Sequence, residues 1–476
     1  MQTVEPAFLR QRRLLAKTAA VAILSAAAVA CSVATAPPPD TKPAVLAQAA
    51  NSALFVEQPY DPRWWRQFED PVLEQLETAA LTANFDVAVA VARVEQSRAM
   101  FDDVKRDRYP TVTVGASVDV RDQVIPGFTQ EPIRTDSYRV GFDAFWELDV
   151  FGRVRSAVRA AAATAESYGA ALDDVRVSVA AEVARNYFEL RGLQQQLAVL
   201  DRSLANQRET LRLTELRRDA GFGEEQDVAS AAARVAAIEA SIPPIRSAIA
   251  EREHHLAVLI GVRPGALGVD LTPRAYPPLT KALAIGEPGS LLRRRPDVRA
   301  AERRLASATA REGVAAAELF PQISISGFLG LLAGRGSDFF KVSDSRAWAV
   351  TPALSWAGFD IGSARARLRG AEGATRESIA EYEQVVLRAI EETENALVNY
   401  REEQERLVRL GDQARESTRA ATIARTRYQA GVVDFLALLD AERTQLQAED
   451  AVAQAEAGVF TSVIALYKAL GGIPIS

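Results

Sequence analysis

The chain has 476 residues, of which 48% are hydrophobic, so it is long enough to form two or three ordinary domains with a sizeable core. Its formal net charge is −6, and it lacks a basic cluster of the kind that binds nucleic acid. Because the chain has a single cysteine, an internal disulfide is excluded. The composition therefore indicates a folded protein and argues against nucleic-acid binding.

The amino terminus predicts an export signal. A basic region is followed by a short apolar stretch that ends at Ala30 and is too short to span a bilayer. Cys31 comes next, where a bacterial lipoprotein carries its lipidated first residue, although Ala28 stands where that motif usually has leucine. We predict a signal peptide at residues 1–30 and a lipidated, Pro-rich tether at residues 31–62.

The rest of the chain predicts a duplicated architecture. Equivalent residues recur about 210 positions apart, which is the signature of one unit that occurs twice. A slip of one residue falls in the loop between two predicted strands, where insertions are tolerated. The pairs at a spacing of 210 are Trp146 and Trp356, Gly152 and Gly362, Gly221 and Gly431, and Gly261 and Gly471, and the pair at 211 is Pro110 and Pro321.

Each repeat predicts two amphipathic strands, because apolar residues alternate with polar or small residues. A helical run that ends at proline precedes the first strand of each repeat. A soluble β-sandwich shows the same alternation, but it does not feed its strands into very long helices. The predicted helical runs are 72–109 and 297–320, and the predicted strands are about 110–120, 138–150, 321–332 and 346–357.

Very long helices are predicted after the strands. Residues 153–220 and 363–430 are 68 residues each and contain no proline, so each helix would extend roughly 100 Å at ~1.5 Å per residue. A second helix returns in each repeat, after Gly221 and after Gly431. In the first repeat only, Pro243-Pro244 predicts a break in the returning helix.

Four strands with one apolar face fit part of a transmembrane β-barrel. They are too few to close a barrel, and open sheet edges are not tolerated in lipid. Copies must therefore associate, with eight strands in a dimer or twelve in a trimer. The pattern therefore predicts a tube, in which a barrel in the membrane is continued by helices into the aqueous space.

Five stretches in order along the chain resemble the TolC-type outer-membrane efflux proteins, and within them the NodT-like lipoprotein branch. The Arg-Pro-Asp-Val block that begins at Arg295 is the most specific of these motifs. The stretches are WRQFEDPVLEQLETAALTAN (Trp65 to Asn84), FWELDVFGRVR (Phe145 to Arg155), LLRRRPDVRAAERRL (Leu291 to Leu305), AAAELFPQISISG (Ala315 to Gly327) and LYKALGG (Leu466 to Gly472).

The resemblance implies a mixed α and β membrane protein that assembles as a homotrimer. It implies a twelve-stranded transmembrane β-barrel with four strands per chain, continued by a long periplasmic α-helical barrel. The protein would be the passive exit duct of a tripartite efflux system, anchored by lipid in the bacterial outer membrane. Its implied partners are a periplasmic adaptor protein and an inner-membrane RND transporter, and neither catalysis nor a cofactor is implied.

The repeats and the resemblance together predict a division of the chain. We expect the first repeat at residues 63–261 and the second at residues 297–471. A connection and equatorial segment at 262–296 separates them, and a C-terminal tail follows at 472–476.

Signals for an enzyme are weak. The only histidines, His254 and His255, are adjacent on a predicted helix and diverge by ~100°, which suits neither a shared metal nor a catalytic triad. The Gly-rich stretch GFLGLLAGRGSD lacks the lysine and the spacing of a phosphate-binding loop, so we interpret it as a strand end and a surface loop. We predict no catalytic, metal or cofactor site.

A stripe on the second returning helix is a candidate gate. Leu436, Asp440 and Arg443 have the spacing i, i+4 and i+7, which places them on one helix face. An ordinary coiled-coil seam of Leu436, Leu439 and Leu446 with an exposed Asp440–Arg443 ion pair explains the same pattern.

The resemblance implies more for this stripe, because its members match the family positions that line the periplasmic constriction. Three Asp440 carboxylates near a symmetry axis would repel one another, so we expect Arg443 to bridge to a neighbouring chain. The first repeat has no such set, since its corresponding residues are Gln226, Ser230 and Ala233.

Two further groups of residues have predicted roles. The hairpin tips at Gly221 and at Gly431 to Asp434 are predicted adaptor contacts, because they end the tube and need glycine for the turn. Arg295, Pro296 and Asp297 are predicted to have a structural role, with Asp297 near a helix N-terminus.

Three functions remain open at this point. Efflux of drugs or other small amphiphilic compounds is favoured, and export of a protein by a type I secretion system is the alternative. A purely structural periplasmic coiled coil is disfavoured, because a rod has no use for lipid-facing strands. Wide channels select weakly, so the polar wall does not name a cargo; its predicted members include Thr111, Ser117, Asp119, Arg139, Asp143 and Glu147.

Overall fold

The computed structural model describes residues 54–59, 61, 63–124, 126–127, 130–277, 282–287, 290–339 and 341–472. The chain divides into two compact units. The first unit comprises Glu95–Ser167 and Ala301–Tyr382, and the second comprises the described residues up to Val94, Tyr168–Ala300 and those from Glu383 onward. Each unit draws on both predicted repeats, so the repeats remain a division of the sequence and are not the compact bodies.

The secondary structure is mostly helical, with one sheet of substantial size. Short 3₁₀ turns lie at Trp64–Phe68 and Gly336–Asp338. In chain order the other elements are β1 (Phe55–Val56), α1 (Pro71–Ala83), α2 (Phe85–Arg106), β2 (Thr111–Gln123), β3 (Ile133–Leu148), α3 (Arg153–Asp219), α4 (Glu225–Leu259), β4 (Leu283–Ala284), α5 (Leu291–Arg294), α6 (Pro296–Ala317), β5 (Gln322–Ala333), α7 (Val342–Ser345), β6 (Arg346–Ser355), α8 (Ile361–Gln429) and α9 (Phe435–Ala469).

The four predicted strands form one antiparallel sheet in the first unit, in the order β2-β3-β5-β6. The sheet therefore joins the strand pairs of both repeats in chain order. Within the described chain, β2 and β6 are each paired on one side only. This arrangement confirms the four strands and leaves two sheet edges with unpaired backbone groups.

One face of this sheet is apolar and exposed. The strand register places Val114, Phe142, Leu329 and Trp348 in one row across all four strands. Their exposed fractions lie between 54% and 74%, although folding normally buries residues of this type. A continuous exposed apolar surface of this kind marks contact with a membrane or with another protein.

Equivalent tryptophans fix the base of the sheet in both repeats. The indole Nε1 of Trp146 donates to the carbonyl of Arg108 at 3.1 Å, and that of Trp356 donates to the carbonyl of Leu319 at 3.1 Å. The two tryptophans are 210 residues apart, and the two acceptor residues are 211 apart. The one-residue difference between the repeats therefore lies between acceptor and donor, in the segment that contains the two strands. The duplication predicted from the sequence is therefore repeated in these contacts.

The predicted break at Pro243-Pro244 is wrong, because α4 continues through both prolines. A proline in a helix interior removes a backbone hydrogen bond but keeps a helical φ. Ile242, directly before the pair, lies in a buried cluster with Leu200 of α3 and Ile238 of α4. This packing holds the helix together across the missing bonds.

Among the described helices, α4 is the one that is long and apolar enough to cross a membrane by length and composition. Such a helix is weak evidence by itself, because the core helices of soluble proteins meet the same criterion. Its alanine content raises its hydropathy without giving it a bulky apolar surface.

The predicted helical run 72–109 is also wrong in its continuity, since α1 and α2 separate at Asn84. The backbone of Asn84 is extended, and its side-chain Oδ1 accepts from the amide nitrogens of Asp86 at 2.8 Å and Val87 at 3.2 Å. These bonds satisfy donors at the start of α2 that have no partner within the helix. Asn84 therefore ends one helix and caps the next.

An aromatic core lies in the second unit and explains the first motif of the resemblance. Phe68 contacts Phe188 with ring centroids 4.8 Å apart, and Phe188 stacks on Phe460 at 4.5 Å. Trp64 stacks on Tyr467 at 5.5 Å. Such rings contribute large buried area and also favourable ring geometry, so this cluster anchors residues 64–68 to α3 and α9.

Candidate channel wall, gate and docking site

The second face of the sheet is the polar one. Ser117 pairs in register with Arg139, and Thr113 pairs with Asp143, so the polar side chains of β2 and β3 share one face. Arg139 forms an ion pair with Asp143, and Glu147 accepts from Arg153 at 2.5 Å. The predicted polar residues of the strands therefore lie on a common surface opposite the apolar row.

The two long hairpins end in the same backbone turn. The amide of Phe222 donates to the carbonyl of Arg217 and that of Gly221 to Arg218, and the bonds of Val432 and Gly431 to Arg427 and Tyr428 repeat this pattern. Both glycines have positive φ, 78° and 72°. This is the Schellman motif, which satisfies the last carbonyls of a helix and favours glycine at the left-handed position.

The side chains of the two tips differ. Asp434 caps α9, because its Oδ1 accepts from the amide of Ala437 at 2.8 Å, whereas Glu224 makes no side-chain cap on α4. Phe222 and Val432 are 79% and 63% exposed. Both tips therefore present an apolar residue to solvent, and only the second tip has a fixed exit into its returning helix.

The candidate gate residues lie together on an exposed face of α9. Leu436 is 58% exposed, so within its own chain it lies outside the packed seam. The other two leucines of the predicted seam are partly buried: Leu439 packs against Phe435 and Leu438, and Leu446 packs against a buried cluster of α3 and α4. A protruding leucine without a partner in its own chain is typical of a surface that meets another molecule.

Arg443 finds its carboxylate within the same chain. Its Nη2 donates to Asp440 Oδ1 at 2.6 Å, and both side chains are more than half exposed. An exposed pair of this kind contributes little to stability, so it leaves both groups free to exchange partners. The bridge to a neighbouring chain stays a prediction.

A buried polar network that the sequence analysis missed lies behind this stripe. Glu442 of α9 is 8% exposed, and its Oε1 accepts from Arg425 Nη2 of α8 at 2.6 Å and from Thr210 Oγ1 of α3 at 3.3 Å. Burial, and then the neighbouring charge of Arg443, lowers the pKa of Arg234 on α4. Side chains from all four long helices therefore meet directly behind the candidate gate.

Arg295 is the centre of a buried cluster at the start of α6. Its Nη2 donates to Asp297 Oδ2 at 2.7 Å and to Glu392 Oε2 at 2.6 Å, while its Nη1 donates to the carbonyl of Ala469 at 2.7 Å. Asp297 also accepts from the amide of Val298 at 2.9 Å, as expected near a helix N-terminus. Burial, followed by the Asp297 charge, raises the pKa of Asp174 beside this cluster.

Asn84 is the first-repeat counterpart of Arg295. Its Nδ2 donates to the carbonyl of Leu259 at 2.9 Å. Leu259 precedes Ala469 by 210 residues, and Asn84 precedes Arg295 by 211. In each repeat a side chain before the strand-leading helix therefore bonds to the end of the returning helix. The signal was available in the sequence as a constant spacing, although the residue types differ.

The predictions for the amino terminus and for metal binding concern other residues. Cys31, the signal peptide and most of the tether lie outside the described residues. Among the residues that the structure does describe, no group of three or more histidine, cysteine, aspartate or glutamate side chains is arranged to hold a metal ion. The predicted channel residues that the structure does describe form three separate features: the polar face of the sheet, the exposed stripe on α9 and the tips of the two hairpins.

Comparison with known proteins identifies the family. The outer membrane efflux protein family matches residues 76–262 and 288–472. The pyoverdine export outer membrane protein OpmQ of Pseudomonas putida is 31% identical over 459 residues, which cover 94% of this chain and 96% of OpmQ. The solvent efflux pump outer membrane protein SrpC of Pseudomonas putida is 31% identical over 411 residues, which cover 85% of this chain and 86% of SrpC.

A solved structure agrees with this result. The outer-membrane channel OprN superposes with a TM-score of 0.90 at 48% identity, and the match covers 94% of this chain and 99% of OprN. These similar proteins are channels or transport proteins, as the sequence motifs led us to expect.

Proposed function

The chain belongs to the outer membrane efflux protein family, and from that premise we propose that it is the outer-membrane exit duct of a tripartite efflux pump. Its cargo would be small amphiphilic compounds, since the similar proteins are named for export of pyoverdine and of solvents. The observation that supports this most strongly is a sheet with one apolar, exposed face and one polar face, whose strands lead into helices of 67 and 69 residues.

The duct would be a homotrimer. The unpaired outer edges of β2 and β6 support this, because strand edges in lipid must pair and four strands cannot enclose a pore. Pairing β6 of one copy with β2 of the next gives a barrel of twelve strands. The apolar row of the sheet would then face lipid, and the polar face would line the lumen.

The long helices would lie in the periplasm and end at the adaptor. Gly221, Gly431 and Asp434 form the tips, and the exposed Phe222 and Val432 give those tips an apolar contact surface. The adaptor would in turn connect the duct to an inner-membrane RND transporter. A lipid on Cys31 would anchor the chain in the outer membrane.

Leu436, Asp440 and Arg443 would close the periplasmic end. Their exposure on one face of α9 supports this, because a ring of apolar and charged side chains on a shared axis narrows a channel. The network of Glu442 would hold that face in position from behind. No comparable stripe exists on α4, so closing would be the task of the second hairpin.

The gate is tested by the triple variant Leu436→Ala, Asp440→Ala and Arg443→Ala in planar bilayers. We expect a higher single-channel conductance than in the unsubstituted protein, because the variant removes both the apolar and the charged ring. The matched control is Gln226→Ala with Ser230→Ala, the corresponding positions of the first repeat, which should leave conductance unchanged. Equal conductance in all three proteins would place the gate elsewhere.

The function is tested in cells that lack this chain. We expect a fluorescent amphiphilic dye to accumulate while the profile of secreted proteins stays normal, and the intact chain should reverse the accumulation. Loss of a secreted protein with unchanged dye content would instead favour the type I secretion alternative.

A further inference from the structure

Every carboxylate on the polar face of the sheet has an arginine partner within the same chain. These pairs occupy the helix-proximal end, the middle and the distal part of the sheet. Within the four described strands, no charged side chain of this face lacks an opposite charge. The pairs are Glu147 with Arg153 at 2.5 Å, Asp143 with Arg139, and Asp119 with Arg121 at 2.7 Å.

The middle pair is held in place by more than its charge. The guanidinium carbon of Arg139 lies 4.0 Å from the centroid of the Phe328 ring, and its Nη1 donates to Asp143 Oδ2 at 3.0 Å. A cation over an aromatic face is attracted by the negative charge of the ring face. Arg139 is therefore fixed between a ring and a carboxylate and does not extend freely from the wall.

Glycines make room for this arrangement. A Cβ on Gly141 would lie 2.6 Å from Phe328 Cε2, and one on Gly330 would lie 2.9 Å from Phe328 Cζ. Both distances are below any ordinary carbon contact, and the carbonyl oxygens of Leu329 and Val140 are equally close or closer, so neither position has room for a side chain. A Cβ on Gly115 would lie 3.4 Å from Asp143 Oδ2. Gly141 and Gly330 therefore make room for the Phe328 ring, whereas a side chain at Gly115 would make only an ordinary contact with Asp143.

We propose that this face is a charge-balanced wall, which makes the membrane section of the duct indifferent to the charge of its cargo. The proposal rests on the proposed function, in which the polar face lines the lumen. Rings of like charge select ions of the opposite sign in channels. Opposite charges a few ångströms apart cancel at longer range, and salt screens the remaining field within about 10 Å. Cationic, neutral and anionic amphiphiles can then pass the same wall.

The test measures reversal potentials of single variants in planar bilayers under a potassium chloride gradient. Asp143→Asn leaves Arg139 uncompensated, so the reversal potential should shift toward the chloride equilibrium potential relative to the unsubstituted protein. Arg139→Gln should shift it toward the potassium equilibrium potential. The double variant should return to the unsubstituted value, because a role in packing alone does not predict opposite shifts that cancel.

A matched control lies on the other face of the same sheet. Asp122 belongs to β2 but has the opposite orientation to Asp119, so Asp122→Asn should leave the reversal potential unchanged. If Asp143→Asn does not fold, Asp119→Asn replaces it, and it should shift the potential in the same direction by freeing Arg121.

The outcomes separate the two proposals. If the unsubstituted protein forms no pores, the proposed function fails and the wall fails with it. If pores form and the single variants keep the unsubstituted reversal potential, the charge-balanced wall is rejected and the duct function stands. Shifts of the same sign in both single variants would also reject it.

Discussion

The two repeats have the same backbone turns and helix-end contacts but complete them with different side chains. Asn84 and Arg295 both bond to the last carbonyls of a returning helix, but Arg295 also carries a buried charge with two carboxylate partners. Gly221 and Gly431 make the same turn, and only the second is followed by an aspartate cap. At these points the two repeats therefore share one backbone geometry, while the side chains that complete it differ.

The largest difference in stability should appear between substitutions of Arg295 and of Asn84. Arg295→Met removes a buried guanidinium that bonds to Asp297, Glu392 and the carbonyl of Ala469, and we expect a loss of about 2–3 kcal/mol in unfolding free energy. Asn84→Ala loses a helix cap and a neutral bond, which should cost about 1–2 kcal/mol. Denaturant unfolding of detergent-purified protein at fixed concentration measures both.

The control for this comparison is Arg293→Met, two residues before Arg295 and exposed. It should change the unfolding free energy by less than about 0.5 kcal/mol. Equal losses for Arg295→Met and Asn84→Ala would show that the charge of Arg295 adds nothing to the shared backbone bond.

A buried acid in the first repeat sharpens the contrast. Glu77 is fully buried, and neither carboxylate oxygen has a hydrogen-bond partner among the described residues, whereas Glu442 accepts from two side chains. Burial, and then the charge of Glu74, raises the pKa of Glu77 well above its ordinary value. The folded state therefore holds the proton more tightly than the unfolded state does.

Stability should consequently fall as the pH rises from the unfolded pKa of about 4.3 toward the raised folded pKa of Glu77. Glu77→Leu should raise the unfolding free energy by about 1–3 kcal/mol at pH 7, because it removes an unsatisfied buried acid. The gain should shrink at pH 4, just below the unfolded pKa, because the carboxyl is then mostly protonated in both states. Denaturant unfolding at the two pH values checks this, and a gain that is equal at both would contradict the assigned protonation.

The tip glycines should respond equally in the two repeats. Gly221→Ala and Gly431→Ala each place a side chain at positive φ, which should cost about 1–2 kcal/mol. Gly370 is a control within α8, where an added Cβ meets open space, so Gly370→Ala should stabilise by about 0.5–1 kcal/mol. Thermal unfolding of the three variants compares them, and clearly unequal losses at the tips would mean that the two turns are not equivalent.

The smallest expected effect concerns the helix that follows each tip. Asp434→Ala removes the cap on α9 and should cost about 1 kcal/mol. Glu224→Ala, at the corresponding place before α4, should be nearly neutral because Glu224 makes no cap. Amide hydrogen exchange at the first turn of each helix provides the measurement, and it should quicken only in the first of these variants.

The strands and long helices were predictable because each depends on local periodicity. The alternation of β2 and β3 and the proline-free runs of α3 and α8 are complete within their own segments. The separation of α1 from α2 depends instead on the Leu259 carbonyl, 175 residues from Asn84. The persistence of α4 through its prolines likewise depends on packing against α3.

The candidate gate was only partly predictable for the same reason. The spacing of Leu436, Asp440 and Arg443 places them on one face, and the structure agrees. The burial of Glu442 and the nearness of Arg234 could not be read from either helix alone, because they arise where four helices meet. Local pattern thus locates the stripe, while tertiary packing supplies what supports it.

The hydrogen bonds of Asn84 and Arg295 to the ends of the returning helices have an evolutionary consequence. Asn84 lies beside Leu259 and Arg295 beside Ala469, so in each repeat the start of the helix that leads to the strands lies beside the end of the returning helix. Chain segments with adjacent ends can be copied in tandem or joined in a new order without stretching the connection. A gene for such a channel could therefore arise by fusion of two copies of one hairpin module. Each copy would already contain the hydrogen bond that joins its leading helix to its returning helix.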